Sequence, residues 1–289
     1  MTPTDQSARV AAFYARNSRA FMRERAGETA SGFDDLAIHR RIAVPGGYST
    51  DVLNRDIRDR IAGRGPVRVL DAGSGWGGTL MALREALPVR GTGITLCPVQ
   101  YEVSSRLFRD DPDVAIVHGD FLTHGFGAAF DVIVAVESIA HTADFARTVH
   151  ALSRWLAEDG AMIVIDDFLA EGVAANDPLL RLFREGWLTP AVETFETIRD
   201  RLARDHGLEL RVEEDYSDRV FRRSGAFCET ALKPYLAPGA WEKADVEERC
   251  RVGGVALERL YDLGRMRYLR CVVTVPDEGR RAALSRKGT

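Results

Sequence analysis

The chain has little cysteine, no surplus of either charge sign and no long apolar run. Its four cysteines (Cys97, Cys228, Cys250, Cys271) stand far apart with no C-x-x-C pair, which excludes a disulfide or zinc framework. Lysine and arginine total 39 against 43 aspartate and glutamate, so no global nucleic-acid or membrane surface is expected. Nearly all the cations are arginine, a compositional habit rather than a functional signal. No segment approaches the ~18 apolar residues of a membrane span, and the first residues lack a signal-peptide core. The expectation is a soluble, cytoplasmic protein. What is present, 289 residues of which 45% are hydrophobic, suffices for a substantial core.

The most informative stretch is VRVLDAGSGWGGTL, Val67 to Leu80. Val67, Val69 and Leu70 read as a buried strand that stops at Asp71. Gly73, Gly75, Gly77 and Gly78 then permit a tight turn into a helix and the close approach of a ligand to the main chain. No lysine follows the glycines, so this is not a phosphate loop. An acid at the strand end suits a cationic ligand and would repel a pyrophosphate.

This D-x-G-x-G run resembles the first motif of class I S-adenosylmethionine-dependent methyltransferases. The resemblance implies an α/β fold: a doubly wound, Rossmann-like sheet of seven strands, the last antiparallel. It also implies S-adenosylmethionine as cofactor, with Asp71, Gly73 and Gly75 beside it. The second strand, Gly91 to Leu96, lacks the terminal carboxylate that usually holds a ribose and continues as T-L-C-P-V-Q. That pattern resembles a subset containing cyclopropane synthases, prenyl diphosphate C-methyltransferases and small-molecule O- and N-methyltransferases. In that subset Thr95 and Gln100 take the place of the acid. A third strand, Ala115 to Val117, delivers Asp120 and Phe121, which the resemblance places on the adenine. Read alone, Gln100 is equally a surface residue, Asp120 a turn cap and Phe121 core.

The fourth strand, Phe130 to Val136, is apolar throughout and ends in Glu137-Ser138-Ile139-Ala140-His141. Ligands in open α/β sheets sit beyond the carboxyl ends of strands, which makes Glu137 and His141 the catalytic candidates. A helix over 143–157 follows, then a strand over 161–165 that exits to Asp166-Asp167. The pair is expected to be solvated or bonded to loop amides rather than to hold a metal. Residues 169–190 break the alternation at Gly172, Pro178 and Pro190 and read as a cap insertion, with Phe183 and Trp187 as pocket walls. A helix over 191–205, a strand over 208–214, a long helix over 240–264 and a strand over 268–275 complete the domain.

The domain division is thus 1–64 as a helical lid segment, 65–276 as the methyltransferase domain and 277–289 as a frayed tail. In the lid an amphipathic helix carries Tyr14, Phe21 and Met22, with Arg16, Arg19 and Arg23 on its wet side. A turn-like stretch over 31–50 and a helix over 51–62 follow. Tyr14, Tyr48, Trp187 and Arg40 are the substrate-binding candidates, Arg40 being one of the arginines available to a phosphate.

Three chemistries fit. A hydroxyl acceptor needs a base, for which His141 serves; an amine needs none; an alkene needs aromatic faces for a carbocation and a carboxylate such as Glu137. The V-E-S run resembles that of the prenyl diphosphate C-methyltransferases and favours carbon methylation of an isoprenoid diphosphate. Magnesium would then accompany the diphosphate; no protein metal site is expected. The alternatives are O- or N-methylation of a sugar, polyketide or alkaloid, and a non-catalytic cofactor-binding module. The expected partner is a small-molecule substrate, not nucleic acid or membrane, with a homo-oligomer left open.

Overall fold

The computed structural model describes residues 3–26, 39–237 and 239–276, and no side chain among 3, 4, 19, 20 and 22–26. The frayed tail, the side chains of Arg19, Met22 and Arg23, and the first part of the turn-like stretch lie outside the described residues. The elements are α1 (Pro3–Ala26), β1 (Ile42–Val44), β2 (Gly47–Ser49), α2 (Val52–Ile61), β3 (Val67–Ala72), α3 (Gly78–Ala86), β4 (Val89–Thr95) and α4 (Pro98–Leu107). They continue with β5 (Val114–His118), β6 (Phe130–Val136), a 3-10 turn (Ile139–His141), α5 (Phe145–Ser153), β7 (Leu156–Leu169), α6 (Pro178–Trp187), α7 (Phe195–His206) and β8 (Glu209–Asp215). Last come α8 (Gly225–Leu236), α9 (Ala240–Lys243), α10 (Val246–Asp262) and β9 (Met266–Thr274).

Seven strands form one sheet in the order β5-β4-β3-β6-β7-β9-β8. The first five are parallel, and β9 runs antiparallel between β7 and β8. Successive residues feed opposite faces. Val67 and Val69 join one apolar cluster while Leu70 and Ala72 join the other, and Val132 and Val134 alternate likewise with Ile133 and Ala135. Burial on both faces explains why β3 and β6 read as unbroken apolar runs. The order reverses between β4 and β6 on either side of β3, which opens a crevice beyond their carboxyl ends.

Several expectations need correction. The helix expected over 143–157 stops at Ser153, and Leu156 already belongs to β7. That strand does not end at Ile165. It runs to Leu169 because β9 continues to pair with it, Asp166 opposite Leu269 and Asp167 opposite Tyr268. Asp166 and Asp167 are consequently buried, not solvated. Pro178 does not interrupt a helix but starts one, as the first residue of α6 behind an Asp177 cap that accepts from the amides of Leu179 and Leu180 at 2.8 and 3.2 Å. The long helix over 240–264 is two, α9 and α10, divided where Asp245 caps the second. The hairpin β1–β2 and the helix α8 had no counterpart in the sequence reading.

Candidate functional site

A cavity of about 160 Å³ lies in the crevice. Its sheet side is made by the turn after β3, the end of β4 and the loops after β5 and β6; its far side is made by α1 and Trp187.

The glycine turn is shaped by need. Gly73, Gly75 and Gly77 all have positive φ, +91°, +54° and +88°. A Cβ on Gly73 would lie 2.5 Å from Cβ of Ser138, whose hydroxyl donates to the carbonyl of Ala72 at 2.6 Å. The amides of Gly73 and Ser74 both donate to the Ile94 carbonyl, which locks the turn against β4. Ser74 Oγ is buried with no hydrogen-bond partner among the described residues, at the cradle a ligand would fill. At the end of β4 the Thr95 hydroxyl donates to Gln100 Oε1 at 2.8 Å, and both residues border the cavity. Asp120 and Phe121 border it as well. Asp120 accepts from the Leu122 amide with Oδ1 and from the Ser7 hydroxyl of α1 with Oδ2, at 2.8 and 2.6 Å.

Asp71 is placed differently from the glycines that follow it. It lies within β3, buried behind the wall rather than on it, and its Oδ2 has no hydrogen-bond partner among the described residues. Burial pushes its carboxyl up to about 7.

His141 sits in the 3-10 turn after β6, buried on the cavity wall. Its Nδ1 lies 3.3 Å from the Leu188 carbonyl, which can only accept, so Nδ1 carries the proton. Nε2 is then the lone-pair nitrogen and accepts from the Tyr14 hydroxyl at 2.8 Å. Leu188 ends α6 with φ +54°, a left-handed cap that turns its carbonyl toward the ring. Gln6 Nε2 donates to the carbonyls of both His141 and Leu188, at 2.8 and 3.1 Å. Burial lowers the imidazole to about 4 and raises the Tyr14 hydroxyl, so both are neutral near pH 7.

Glu137 also borders the cavity, in a left-handed conformation with φ +50°. Its Oε1 accepts from the Tyr268 hydroxyl at 2.6 Å and the Arg40 amide at 3.2 Å. The Arg40 guanidinium binds Asp167, which also accepts from the Tyr261 hydroxyl, and lies over the Tyr261 and Tyr268 rings. Burial raises Asp166 to about 8 and Asp167 to about 6, the latter held down in part by Arg40.

Two substrate-binding candidates therefore stand off the wall. Arg40 is not on the wall; its guanidinium binds Asp167 and lies 3.8 Å from Glu137. Tyr48 is 51% exposed on the β1–β2 hairpin, edge-on to Phe221. Tyr14 and Trp187 do border the cavity, and the Phe21 ring stacks on Trp187 at 6.0 Å. Phe183 is core. His39, Gln6, Ser7 and Ser138 were missed. Only Ser138 carried a signal, as the second residue of the E-S run; His39 bonds to Asn54 and Thr79 in a pattern no spacing announces. Among the described residues no three His, Cys, Asp or Glu side chains are grouped to hold a metal, and no helix is long and apolar enough to cross a membrane.

Residues 70–164 match a family model described as a methyltransferase domain. The chain is similar to the O-methyltransferase cnsE of Penicillium expansum, 29% identical over 49% of this chain and 52% of that protein. It is also similar to the 27-O-demethylrifamycin SV methyltransferase of Amycolatopsis mediterranei, 30% identical over 56% of this chain and 62% of that protein. It thus spans about half to two thirds of the length of these curated relatives. Among solved structures, geranyl diphosphate C-methyltransferase from Streptomyces coelicolor A3(2) has a TM-score of 0.65 at 16% identity, covering 95% of this chain and 99% of that one. The [4+2]-cyclase SpnF has 0.67 at 20%, covering 93% and 97%. Those two share the fold. The sheet order and the glycine turn thus frame the stretch, residues 70–164, that matches the methyltransferase-domain model.

Proposed function

We propose that this chain transfers a methyl group from S-adenosylmethionine to a hydroxyl of a small natural-product acceptor. The observation that carries the reading is the neutral His141, its Nδ1 on the Leu188 carbonyl and its Nε2 on the Tyr14 hydroxyl at the cavity wall. Both relatives described above are named for methyl transfer, one of them at oxygen.

The cofactor supplies a methyl group made electrophilic by its sulfonium. The glycine turn, Thr95 with Gln100, and Asp120 with Phe121 would hold it. The unpartnered Ser74 hydroxyl and the open space beside Gly75, where a Cβ would meet only Gln100 Nε2 at 4.0 Å, fit a ligand lying on the main chain. Asp71, one layer behind, contributes negative charge beneath a cationic ligand. Tyr14 and His141 act on the acceptor. The acceptor's O–H hydrogen bonds to Tyr14 Oη, whose own proton passes to His141 Nε2. The acceptor oxygen becomes nucleophilic without a free anion, and the imidazolium is held through Nδ1 by Leu188. Closure of α1 over the mouth excludes water.

Carbon methylation of an isoprenoid diphosphate stands second. No lysine or arginine is among the described lining residues, and Arg40 binds Asp167. Magnesium would enter only with such a substrate. The test is methyl-labelled S-adenosylmethionine offered with phenols, polyketide alcohols, amines and geranyl diphosphate, with and without magnesium. Label on a hydroxyl without magnesium is expected, and Tyr14→Phe should cut that turnover by roughly 10²-fold. Label on a prenyl carbon alone, requiring magnesium, would overturn the reading.

A further inference from the structure

Glu137 is held in a way that leaves half of its carboxylate unused. Oε1 takes both hydrogen bonds, from the Tyr268 hydroxyl and the Arg40 amide. Oε2 takes none among the described residues, yet it is not among the sealed, unpartnered atoms of the interior. Glu137 borders the cavity, and its side chain keeps 22% exposure. Its left-handed backbone is unfavourable for a non-glycine residue, a conformation that persists only when the surroundings impose it. Here Tyr268 and Arg40, from β9 and the segment before β1, impose it.

The neighbourhood says what Oε2 addresses. Tyr14 and His141 border the same cavity as Glu137, and its negative charge raises both groups. Around them are the rings of Tyr14, Phe21 and Trp187, whose faces tolerate a cation. Asp120, the other carboxylate on the wall, has one oxygen on an amide and the other on Ser7.

Resting on the hydroxyl-methylation reading, we infer that Glu137 Oε2 is a second anchoring point for the acceptor. It receives a hydrogen-bond donor, foremost a protonated amine, carried near the hydroxyl that is methylated. The substrate class is then an amino-bearing alcohol or phenol, and carboxylate and phosphate acceptors are turned away. Glu137 fixes the acceptor's orientation, and the proton leaves through Tyr14 and His141.

The test reads binding, not turnover, on the full chain saturated with S-adenosylhomocysteine. Calorimetric titrations use benzylamine, benzyl alcohol and benzoate, three probes of similar shape that differ in charge and donor capacity. Wild type should bind benzylammonium at least about tenfold tighter than benzoate, with benzyl alcohol between, the span of one charge-assisted hydrogen bond. Glu137→Gln keeps an oxygen for Tyr268 and Arg40. It should bring benzylammonium and benzyl alcohol to within about threefold of each other while leaving S-adenosylhomocysteine affinity unchanged. Benzoate binding as well as benzylammonium, or no benzylammonium binding up to about 10 mM, overturns the proposal from wild type alone. A preference that survives Glu137→Gln would belong to another acid, and an equal loss of cofactor-product affinity would make Glu137 a cofactor ligand; either overturns it. The outcome is separable from the methylation assay. Hydroxyl labelling without the amine preference sinks only this inference, and the reverse result sinks only the reaction.

Discussion

The sheet-side wall of the cavity draws on four short runs, 73–79, 94–100, 120–122 and 136–142, each beyond the carboxyl end of a parallel strand. The opposite wall draws on isolated side chains, Ser7, Val10, Tyr14 and Phe21 from one helix and Trp187 from another. The first wall is positioned by main-chain bonds of the sheet, such as the two amides on the Ile94 carbonyl. The second is positioned by packing and by few side-chain bonds, among them Ser7 to Asp120 and Tyr14 to His141. Backbone positioning tolerates little change; side-chain packing can be altered residue by residue. Ligand affinity should therefore fail when the first wall is disturbed, and turnover when the groups between the walls are.

One separation is expected from Gly73→Ala. Its Cβ would meet Ser138 at 2.5 Å in a backbone at φ +91°, with no flexible neighbour to yield. A strain of about 2 to 3 kcal/mol should lower S-adenosylhomocysteine affinity by roughly a hundredfold, read by calorimetry. Wild-type affinity would break the contrast between the walls.

Next comes His141→Gln, expected to lower kcat for a hydroxyl acceptor by roughly 10²- to 10⁴-fold with cofactor affinity nearly intact. The pH profile sharpens the point. Burial holds the imidazole down at about 4, so the neutral base persists through the mildly acidic range. Wild-type kcat should stay flat from pH 8 to about 5 and fall only as pH approaches 4. A fall centred near 6.5 would mean a solvated histidine. The same lowered value means this group's contribution to stability is present above about 6.5 and lost as pH falls through 4.

A third effect is on stability, at Asp71. Burial raises its folded value to about 7, above its unfolded value of 3.8. Its contribution is thus full below pH 4 and lost as pH rises through 7. Asp71→Asn should raise the melting temperature at pH 8, by a free energy on the order of 2 to 4 kcal/mol, and do little at pH 4. Scanning calorimetry at the two pH values decides. No pH dependence of the difference would mean the carboxylate already has a partner. Saturating wild type with S-adenosylhomocysteine should shrink the difference only if the ligand relieves that charge.

Much of the sheet-side wall was legible because its residues are adjacent in sequence and follow apolar runs. Gly73, Gly75, Thr95, Gln100, Asp120 and Phe121 were placed by the resemblance of these runs to methyltransferase motifs, and all border the cavity. The Glu137 cluster was not, since its partners Arg40 and Tyr268 lie 97 and 131 residues away in the chain. No periodicity records such pairing. Asp166-Asp167 looked like the end of a strand because two charges rarely enter a sheet; the neighbouring β9, Arg40 and Tyr261 make their burial tolerable. Helix α8 escaped notice because it contains Pro234 and buries only Cys228 and Leu232. The crossing of α6 and α10 was equally hidden. A Cβ on Gly186 would lie 2.5 Å from the Arg249 carbonyl, so the backbones touch and hold Trp187 and Leu188 in place.

The position of β9 bears on the order in which the protein becomes complete during synthesis. Among the described residues it is the last strand in sequence, yet it is inserted between β7 and β8 and carries Tyr268 to Glu137. A nascent chain released as far as β8 has its glycine turn and the parallel half of its sheet. It lacks the strand that separates β7 from β8 and the hydroxyl that fixes Glu137. Ribosome-bound chains stalled before residue 266 should therefore be able to acquire a cofactor before they can orient an acceptor.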